Sequence, residues 1–448
     1  MRFFEAAVPD PYVFAVGLTL LTALLAAIFA PHHGAGEIAA AWVSGLVGKQ
    51  NIFEFALQMV LVLVTGYALA SSAPVGRLLD GLAARPKTPK DAVTLTLLVS
   101  SLACWLNWGF GLVVAGLLAR AIARRMRIDF GWLVAAAYTG FLIWASGLSS
   151  SIALAQATPG SKLNIVQALT GQVLSLRQTI FTTYNLVPVV VLLVVLPLVF
   201  RSLAPRDEDV VEAQGLPDDI LRPSTRLRMD QDDKTAARPT LATRLNNAWI
   251  LNLILVAAGF TYLIQGWIVR GVSLDIGSVI LIFFLLGLLL HWTPIAYVRA
   301  IERAARVTGP LLIQYPLYGG IMAIMTTTGL AGVIAQGFLT FSTASTLPFW
   351  SYVSSIIISL FVPSGGGHWA VQGPFAVPAA VKLHASLPAT AMAVAIGEQV
   401  ANMIQPFWAL PVLAIAGIGL QRVMAYTAVS FAIAFVVFGV ALLVLIPK

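Results

Sequence analysis

Long apolar stretches recur along this chain and set its architecture. Eight of them run for 18 or more residues with almost no charge: 13–30, 56–74, 130–157, 180–200, 248–268, 276–293, 308–337 and 423–446. A helix of about 20 residues spans the hydrocarbon core of a bilayer. The pattern therefore predicts an all-α polytopic membrane protein whose helices cross the bilayer repeatedly.

One apolar stretch near the C-terminus is interrupted by a proline, a serine and three glycines, in the sequence FVPSGGGHW at 361–369. Gly and Pro both disfavour a continuing helix, yet the residues on either side are typical of buried helix. Irregular backbone at membrane depth survives only where protein buries it or where it lines a water-filled cavity. The interruption therefore predicts a place where a polar ligand is handled inside the bilayer.

Basic residues indicate which ends of the membrane helices face the cytoplasm. The stretch 93–119 has four of them on each side: Arg77, Arg85, Lys87 and Lys90 before it, and Arg120, Arg124, Arg125 and Arg127 after it. Its 27 residues are too few for two spans. We therefore predict a re-entrant hairpin over 93–119 that bends at Asn107-Trp108-Gly109.

With this hairpin the remaining basic residues agree with one topology of nine spans and a cytoplasmic N-terminus. Six of the 27 Lys and Arg then fall outside: Lys49, Lys162, Arg177, Arg270, Lys382 and Lys448. A second hairpin, 350–381, enters from the outer face. Spans 130–157 and 389–418 are both interrupted, the first by SGLSSS at 146–151 and the second around Gln399 to Pro406.

The order of these elements predicts an internal repeat. Ser101, Leu102 and Gly109 recur as Ser359, Leu360 and Gly367 at an offset of 258 residues. We predict an N-terminal repeat over 1–203, a cytoplasmic linker over 204–245 and an inverted C-terminal repeat over 246–448. The linker carries nine of the 19 acidic residues, which is typical of a mobile solvated segment.

Composition excludes several classes of protein. Hydrophobic residues make up 59% of the 448 and charged residues only 10%, which is too apolar for a soluble domain. The net charge of +8 lies in loops between spans, so it marks topology and indicates no nucleic-acid partner. No HExxH, G-x-S-x-G or Walker A motif is present and Cys104 has no obvious histidine partner, so we expect no enzyme and no cofactor.

Several motifs together resemble the short-chain fatty acid transporters. They are NWGFGLVV at 107–114, PSGGGHWAVQGPF at 363–375, GEQ at 397–399 and QPFWALP at 405–411, and the resemblance extends from LASSAPV at 69–75 to LAIAG at 413–417. It implies a bacterial inner-membrane carrier of small monocarboxylates such as acetate, butyrate or acetoacetate. A more distant resemblance, to the ion transporter superfamily, implies a homodimeric scaffold and an elevator-type movement. A passive anion channel, or a carrier of another carboxylate such as a dicarboxylate, is the alternative.

A short-chain carboxylate needs hydrogen-bond donors for its oxygens and an apolar slot for its tail. Hairpin tips and broken helices present free N–H groups that favour anions. The candidate binding residues are Asn107, Trp108, Gly109, Ser149, Ser150, Ser364, Gly365, Gly366, Gly367, His368 and Gln372. Hydrogen bonding between helices is the structural alternative for the serines, and shaping of the hairpin tip is the alternative for His368.

Glu398 is the acidic residue placed deepest inside a predicted span. A carboxylate there is costly unless it is paired, hydrated or neutralised. Asn402 and Gln405 follow it by one and two helical turns and share its face. We predict that these three residues couple transport to H⁺ or Na⁺, with stabilisation of the helix break as the structural alternative.

Overall fold

The computed structural model describes residues 11–30, 34–213, 240–270, 274–306, 308–360, 362, 364–405, 407–416 and 418–447. Within these residues the chain is helical and has no strand. The predicted all-α membrane class is confirmed.

The described residues of the first half contain ten α-helices. They are α1 Pro11–Phe29, α2 Ala35–Leu46, α3 Phe53–Ala70, α4 Ala73–Ala83, α5 Pro89–Leu106, α6 Trp108–Ala123, α7 Phe130–Thr139, α8 Ser151–Ala157, α9 Ile165–Thr170 and α10 Thr183–Ser202. A 3₁₀ helix, Gly140–Ser146, continues α7, and a second one covers Asp207–Asp209.

The described part of the second half contains eleven more. They are α11 Leu241–Asn246, α12 Trp249–Arg270, α13 Ile276–His291, α14 Pro294–Ala305, α15 Gly309–Thr327, α16 Leu330–Phe341, α17 Leu347–Ser359, α18 Gly365–Leu383, α19 Leu387–Ala401, α20 Ala409–Ala416 and α21 Gln421–Val444.

Asn107 separates α5 from α6, and the two helices pack against each other as a hairpin. A Cβ atom at Gly111 would overlap the backbone of Cys104, so residues equidistant from the bend lie side by side. At the far end, Arg125 lies 3.9 Å from Asp80, which precedes α5. The start and the end of the hairpin therefore lie at the same end of the molecule.

The second interruption lies between Ser359 and Gly365, between α17 and α18, which also pack against each other. The three glycines predicted to interrupt the helix instead form the first turn of α18. The two interrupted spans are found at the predicted places: residues 147–150 separate the 3₁₀ helix from α8, and residues 402–408 separate α19 from α20. The re-entry of the hairpins from opposite faces and the division into inverted repeats stay predictions.

The stretch 308–337 differs from the single straight span that its hydropathy predicts. It forms α15 and α16, which are bent by 77°. The bend lies at Gly329, whose φ of 76° is left-handed and favours glycine. Five helices of the described residues are long and apolar enough to cross a membrane, or six if this bent pair is one span. Several of the nine predicted spans are interrupted or consist of helices shorter than 18 residues. A test based on helix length therefore does not identify all of them.

The core lies around the interrupted helices. The segment Phe130–Ala157 is 94% buried inside the protein, whereas Leu241–Val269 is only 17% buried. Helices such as α12 therefore present apolar side chains outward, and the interrupted segments lie at the centre.

Part of the predicted linker is described, and it is attached to the helical body. Arg127 Nε donates to Glu212 Oε1 over 3.1 Å, and the Val211 amide donates to Asp129 Oδ2 over 3.0 Å. Residues 211 and 212 therefore contact the helical body, and the mobile linker over 204–245 stays a prediction. Residues 214–239 lie outside the described residues.

The hairpin geometry predicts which side of the membrane its ends face. Single cysteines replacing the exposed residues Arg85 and Arg124, in a Cys104→Ser background, should both react with an impermeant thiol reagent only from the cytoplasm. Reaction of only one of them from the outer face would mean that this segment crosses the membrane as a true span.

Candidate functional site

The two interrupted spans hold each other at the centre of the protein. The Gln399 side chain accepts from the Ser146 amide over 3.0 Å and donates to Ser146 Oγ over 2.8 Å. Trp144 Nε1 donates to Asn402 Oδ1 over 2.9 Å, and the Tyr138 hydroxyl donates to the Asn402 carbonyl over 2.8 Å. Polar groups freed by one interruption are therefore satisfied by the other.

The first hairpin tip is also satisfied from within the protein. Asn107 caps α6 by accepting from the Phe110 amide over 2.9 Å, and Ser149 Oγ accepts from the Trp108 amide over 2.9 Å. Ser150 caps α8 through the Ala153 amide. Asn107, Ser149 and Ser150, which the sequence marks as candidate substrate residues, thus use acceptor oxygens to cap helices. Asn107 Nδ2 is buried and has no partner among the described residues.

Two glycines allow the first tip to pack closely. A Cβ atom at Gly147 would overlap the Trp105 carbonyl, which accepts from the Leu148 amide over 2.7 Å. Gly109 lies against the backbone of Leu63 in α3. Gly109 therefore serves the packing of the tip against a neighbouring helix.

The second hairpin tip lacks such a cap. Ser364 precedes α18 with extended backbone, and its hydroxyl accepts from no amide of that helix. The backbone hydrogen bonds of α18 begin where the His368 amide donates to the Ser364 carbonyl over 2.6 Å. The amides of Gly365 and Gly366 at the start of the helix make no hydrogen bond within the described residues, and a helix N-terminus carries partial positive charge.

This uncapped N-terminus opens onto a small central cavity. The walls are mainly aromatic, and the lining residues are Trp108, Phe141, Trp144, Ser151, Leu311, Tyr315, Ser364, Gly365 and Trp408. The ring centroids of Trp108 and Trp408 are 5.2 Å apart, and those of Phe141 and Trp144 are 5.6 Å apart. The cavity offers about 10 Å³ to the centre of a water-sized sphere, which is room for about one water.

Tyr315 reaches the cavity from α15, next to Ser364. The two hydroxyls lie close together; Ser364 is 1% exposed, and its Oγ has no other hydrogen-bond partner among the described residues. Hydroxyls, a helix N-terminus and apolar rings around one space are what a small carboxylate with a short tail requires.

His368 and Gln372 face the other arm of the hairpin instead of the cavity. His368 Nε2 lies 2.7 Å from Gln372 Oε1 and 3.2 Å from Ser355 Oγ. Gln372 Nε2 donates to the Ser351 carbonyl over 2.9 Å. These bonds join α18 to α17, which agrees with the structural alternative for His368.

The glycines after Gly365 contact neighbouring aromatic rings. A Cβ atom at Gly366 would overlap the Phe55 ring, and one at Gly367 would overlap the Tyr318 ring. Among the tryptophans, Trp108 lines the cavity, whereas Trp369 Nε1 donates to the Leu163 carbonyl.

Glu398 is completely buried, and neither carboxylate oxygen has a hydrogen-bond partner among the described residues. Tyr315 and Tyr318 lie close enough for its charge to act on their phenols. Asn402 bonds Trp144, and Gln405 Nε2 donates to the Ser359 carbonyl over 3.3 Å, with Gln405 Oε1 left unpartnered. In the described part of the chain no three His, Cys, Asp or Glu side chains group around a possible metal position.

Sequence reasoning missed several residues of this site. Tyr315, Phe141 and Trp144 line the cavity without belonging to any glycine-rich motif. Trp408 lies in the motif QPFWALP, directly after the second interruption, so its place could have been read from that motif. Tyr315 offered no local signal, because its helix is distant in sequence from the hairpin tip.

Known proteins resemble this chain over nearly its full length. Residues 1–445 match the sequence profile of a family described as short chain fatty acid transporter. Two bacterial relatives carry the name "Putative short-chain fatty acid transporter". The Escherichia coli (strain K12) protein is 42% identical over 445 residues, covering 98% of this chain and 97% of the relative. The Haemophilus influenzae protein is 36% identical over 428 residues, covering 95% and 93%.

A solved structure resembles the fold. The crystal structure of the YdaH transporter of Alcanivorax borkumensis, described as having an unusual topology, superimposes with a TM-score of 0.60 at 17% identity. The match covers 97% of this chain and 98% of that one.

The bonds between the interruptions predict a stability effect. Gln399→Leu removes both hydrogen bonds to Ser146 and leaves buried polar groups unsatisfied, so it should lower the free energy of unfolding by about 1–3 kcal/mol. Ser359→Ala is the control, because Ser359 Oγ is equally buried and already lacks a partner. Thermal unfolding in detergent measures both. Equal midpoints for the two variants would contradict the role of Gln399.

Proposed function

We propose that this chain, which belongs to the short-chain fatty acid transporter family, is a secondary active carrier of small monocarboxylates such as acetate, butyrate and acetoacetate. Members of this family are transporters, so the chain is a membrane transporter and not an enzyme. The bacterial inner membrane, the individual substrates, the coupling ion and the mechanism belong to the proposal.

The observation that carries the proposal is the uncapped start of α18 beside a cavity with aromatic walls. The carboxylate accepts hydrogen bonds from Ser364 Oγ and from the amides of Gly365 and Gly366. Its tail lies between the rings of Trp108, Trp144 and Trp408. Anions are stabilised at helix N-termini by the free amides and the helix dipole together.

The size of the cavity implies a movement during transport. Room for about one water is too little for a butyrate, which has six non-hydrogen atoms. The rings around the cavity must therefore move apart when substrate enters. In the arrangement described here the central site is closed.

Glu398 is the proposed coupling residue. An unpaired carboxylate without hydrogen bonds is very costly to bury in its charged form. Protonation removes this cost and needs only one carboxylate oxygen, whereas Na⁺ needs several oxygen ligands. The lack of partners around Glu398 supports H⁺ over Na⁺, with Asn402 and Gln405 as neighbouring polar groups on the same helix and its interruption.

An elevator-type movement in a homodimer fits the distribution of contacts. The hairpin arms α17 and α18 pack with α19, and the 3₁₀ helix packs with α5 and α19, so the interrupted elements form one packed group. Helix α12 belongs to the exposed segment that is 17% buried, and it offers an apolar face to lipid or to a second copy. We propose that the packed group moves and the outer helices form the frame.

Uptake into proteoliposomes tests the function directly. Radiolabelled butyrate, acetoacetate and acetate are offered with a proton gradient and a Na⁺ gradient imposed separately, and succinate serves as a dicarboxylate. We expect accumulation of the monocarboxylates driven by the proton gradient. Flux that never exceeds electrochemical equilibrium would identify a passive channel, and preferred uptake of succinate would identify a dicarboxylate carrier.

The role of Ser364 predicts a loss of affinity without a loss of stability. Ser364→Ala should raise KM for butyrate roughly tenfold to a hundredfold, since a hydrogen bond to a charged group contributes about 1.5–3 kcal/mol. Its unfolding midpoint should stay close to that of the wild type, because Ser364 Oγ lacks a strict hydrogen-bond partner within the described part of the chain. Ser359→Ala is the matched control. An unchanged KM in Ser364→Ala would remove Ser364 from the binding site.

The role of Glu398 predicts a separation of coupling from exchange. Glu398→Gln keeps the shape of the side chain but cannot carry the proton, so proton-driven accumulation should be lost while substrate exchange across the membrane continues. Glu302→Gln, at an exposed position on α14, should behave like the wild type. Normal accumulation with intact ion dependence in Glu398→Gln would assign coupling to other groups.

A further inference from the structure

A second cavity lies close to the central one and is larger and more polar. It offers about 320 Å³ to the centres of water-sized spheres, against about 10 Å³ in the central cavity. Its lining includes Glu54, Gln58, Thr158 and Lys162, and Phe55 also lines it. Glu54 and Lys162 are exposed, so this cavity opens to solvent. We refer to it as the antechamber.

Phe55 separates the antechamber from the central cavity. Its side chain is only 3% exposed. Its ring centroid lies 6.1 Å from that of Tyr315, which lines the central cavity. The same ring occupies the space that a Cβ atom at Gly366 would need, directly next to Gly365 in the central cavity wall. One aromatic ring thus stands between a solvent-filled space and the uncapped start of α18.

The antechamber lining carries one basic and one acidic side chain, Lys162 and Glu54. Lys162 Nζ donates to the carbonyls of Lys49 and Asn51, each over 2.9 Å. Neutral carbonyls fix the position of the ammonium group without cancelling its charge. Glu54 is the acidic group of the lining, and Gln58 lies one helical turn beyond it. Lys162 therefore supplies the positive charge, and the Gln58 amide supplies a further donor.

We propose that the antechamber is an initial binding site for short-chain carboxylates, with Lys162 as the residue that attracts the anion and Phe55 as the gate to the central site. The inference rests on the proposed function. Rotation of the Phe55 ring away from Gly366 joins the two cavities. Lys49 and Lys162 both fall in loops predicted outside, so this gate controls entry from the outer face.

Thiol labelling tests the gate without any transport measurement. A Ser364→Cys probe in a Cys104→Ser background is treated with a small, impermeant methanethiosulfonate reagent from the outer face. Phe55→Ala should accelerate labelling at least about tenfold relative to the same probe protein with Phe55 unchanged. Phe55→Leu should give an intermediate rate. Phe438→Ala is the control, because Phe438 is fully buried and lies outside the lining of both cavities.

Two results would overturn the gate. One is an unchanged labelling rate in both Phe55 variants. The other is an equal acceleration in Phe438→Ala, which would mean that loss of any buried ring loosens the protein. Phe55→Leu keeps most of the apolar volume, so the test holds even if Phe55→Ala unfolds.

Kinetics test the attraction of the anion. Lys162→Gln should raise KM for butyrate about threefold to tenfold and leave kcat unchanged, and the difference should shrink at high salt because the attraction is screened. Lys382→Gln is the control, since Lys382 is exposed in another loop predicted outside. Equal KM values in Lys162→Gln and wild type would overturn the carboxylate assignment.

Failure of the proposed function gives a different result. Suppose that the wild type transports no monocarboxylate, but Phe55→Ala still accelerates labelling of Ser364→Cys. The gate is then supported and the proposed substrate is wrong. Suppose instead that the wild type transports butyrate, and the Phe55 and Lys162 variants show wild-type labelling rates and KM values. The proposed function is then supported and the antechamber site is wrong.

Discussion

The need to satisfy polar backbone groups inside the bilayer governs this structure. Interrupted helices expose N–H and C=O groups that lipid cannot bind, so each interruption requires a partner within the protein. Here the partners come from the other half of the chain: Gln399 bonds Ser146, and Asn402 bonds Trp144 and Tyr138. These bonds link elements about 250 residues apart, so hydrogen bonds hold the two interruptions together.

The second hairpin tip departs from this pattern, and the departure marks the site. Asn107 and Ser149 close the first tip with capping bonds, whereas Ser364 leaves the start of α18 open. Similar tips in the two halves therefore have different tasks. The first is completed by protein groups, and we propose that the second binds an anion. An uncapped helix start that is buried without a partner needs a ligand or water to satisfy it.

Local chemistry explains how much of this was predictable from the sequence. Gly, Pro and Asn disrupt helices by their own backbone properties, so the interruptions near Asn107, Ser146 and Ser364 follow from the sequence alone. The 77° bend at Gly329 was missed, because a single glycine in an apolar stretch is common in membrane helices. Tyr315 and the Gln399–Ser146 pair were missed for another reason: they depend on which distant helices meet. Capping by Asn107 and Ser149 shows the same limit, because a polar residue at a break suits a ligand and a cap equally well.

Tyr315 connects the parts of the site that transport has to coordinate. Its hydroxyl lies near Ser364, its ring faces Phe55, and the charge of Glu398 acts on it. In the proposed mechanism, a substrate carboxylate at Ser364 and a negative charge on Glu398 would repel each other across this residue. Neutralising Glu398 would remove the repulsion, so proton and anion would each favour the binding of the other. Such coupling is reciprocal by thermodynamic necessity. In this mechanism cotransport requires no ion pair between substrate and protein. It requires only that the region between Ser364 and Glu398 has too few hydrogen-bond partners to stabilise two negative charges at once.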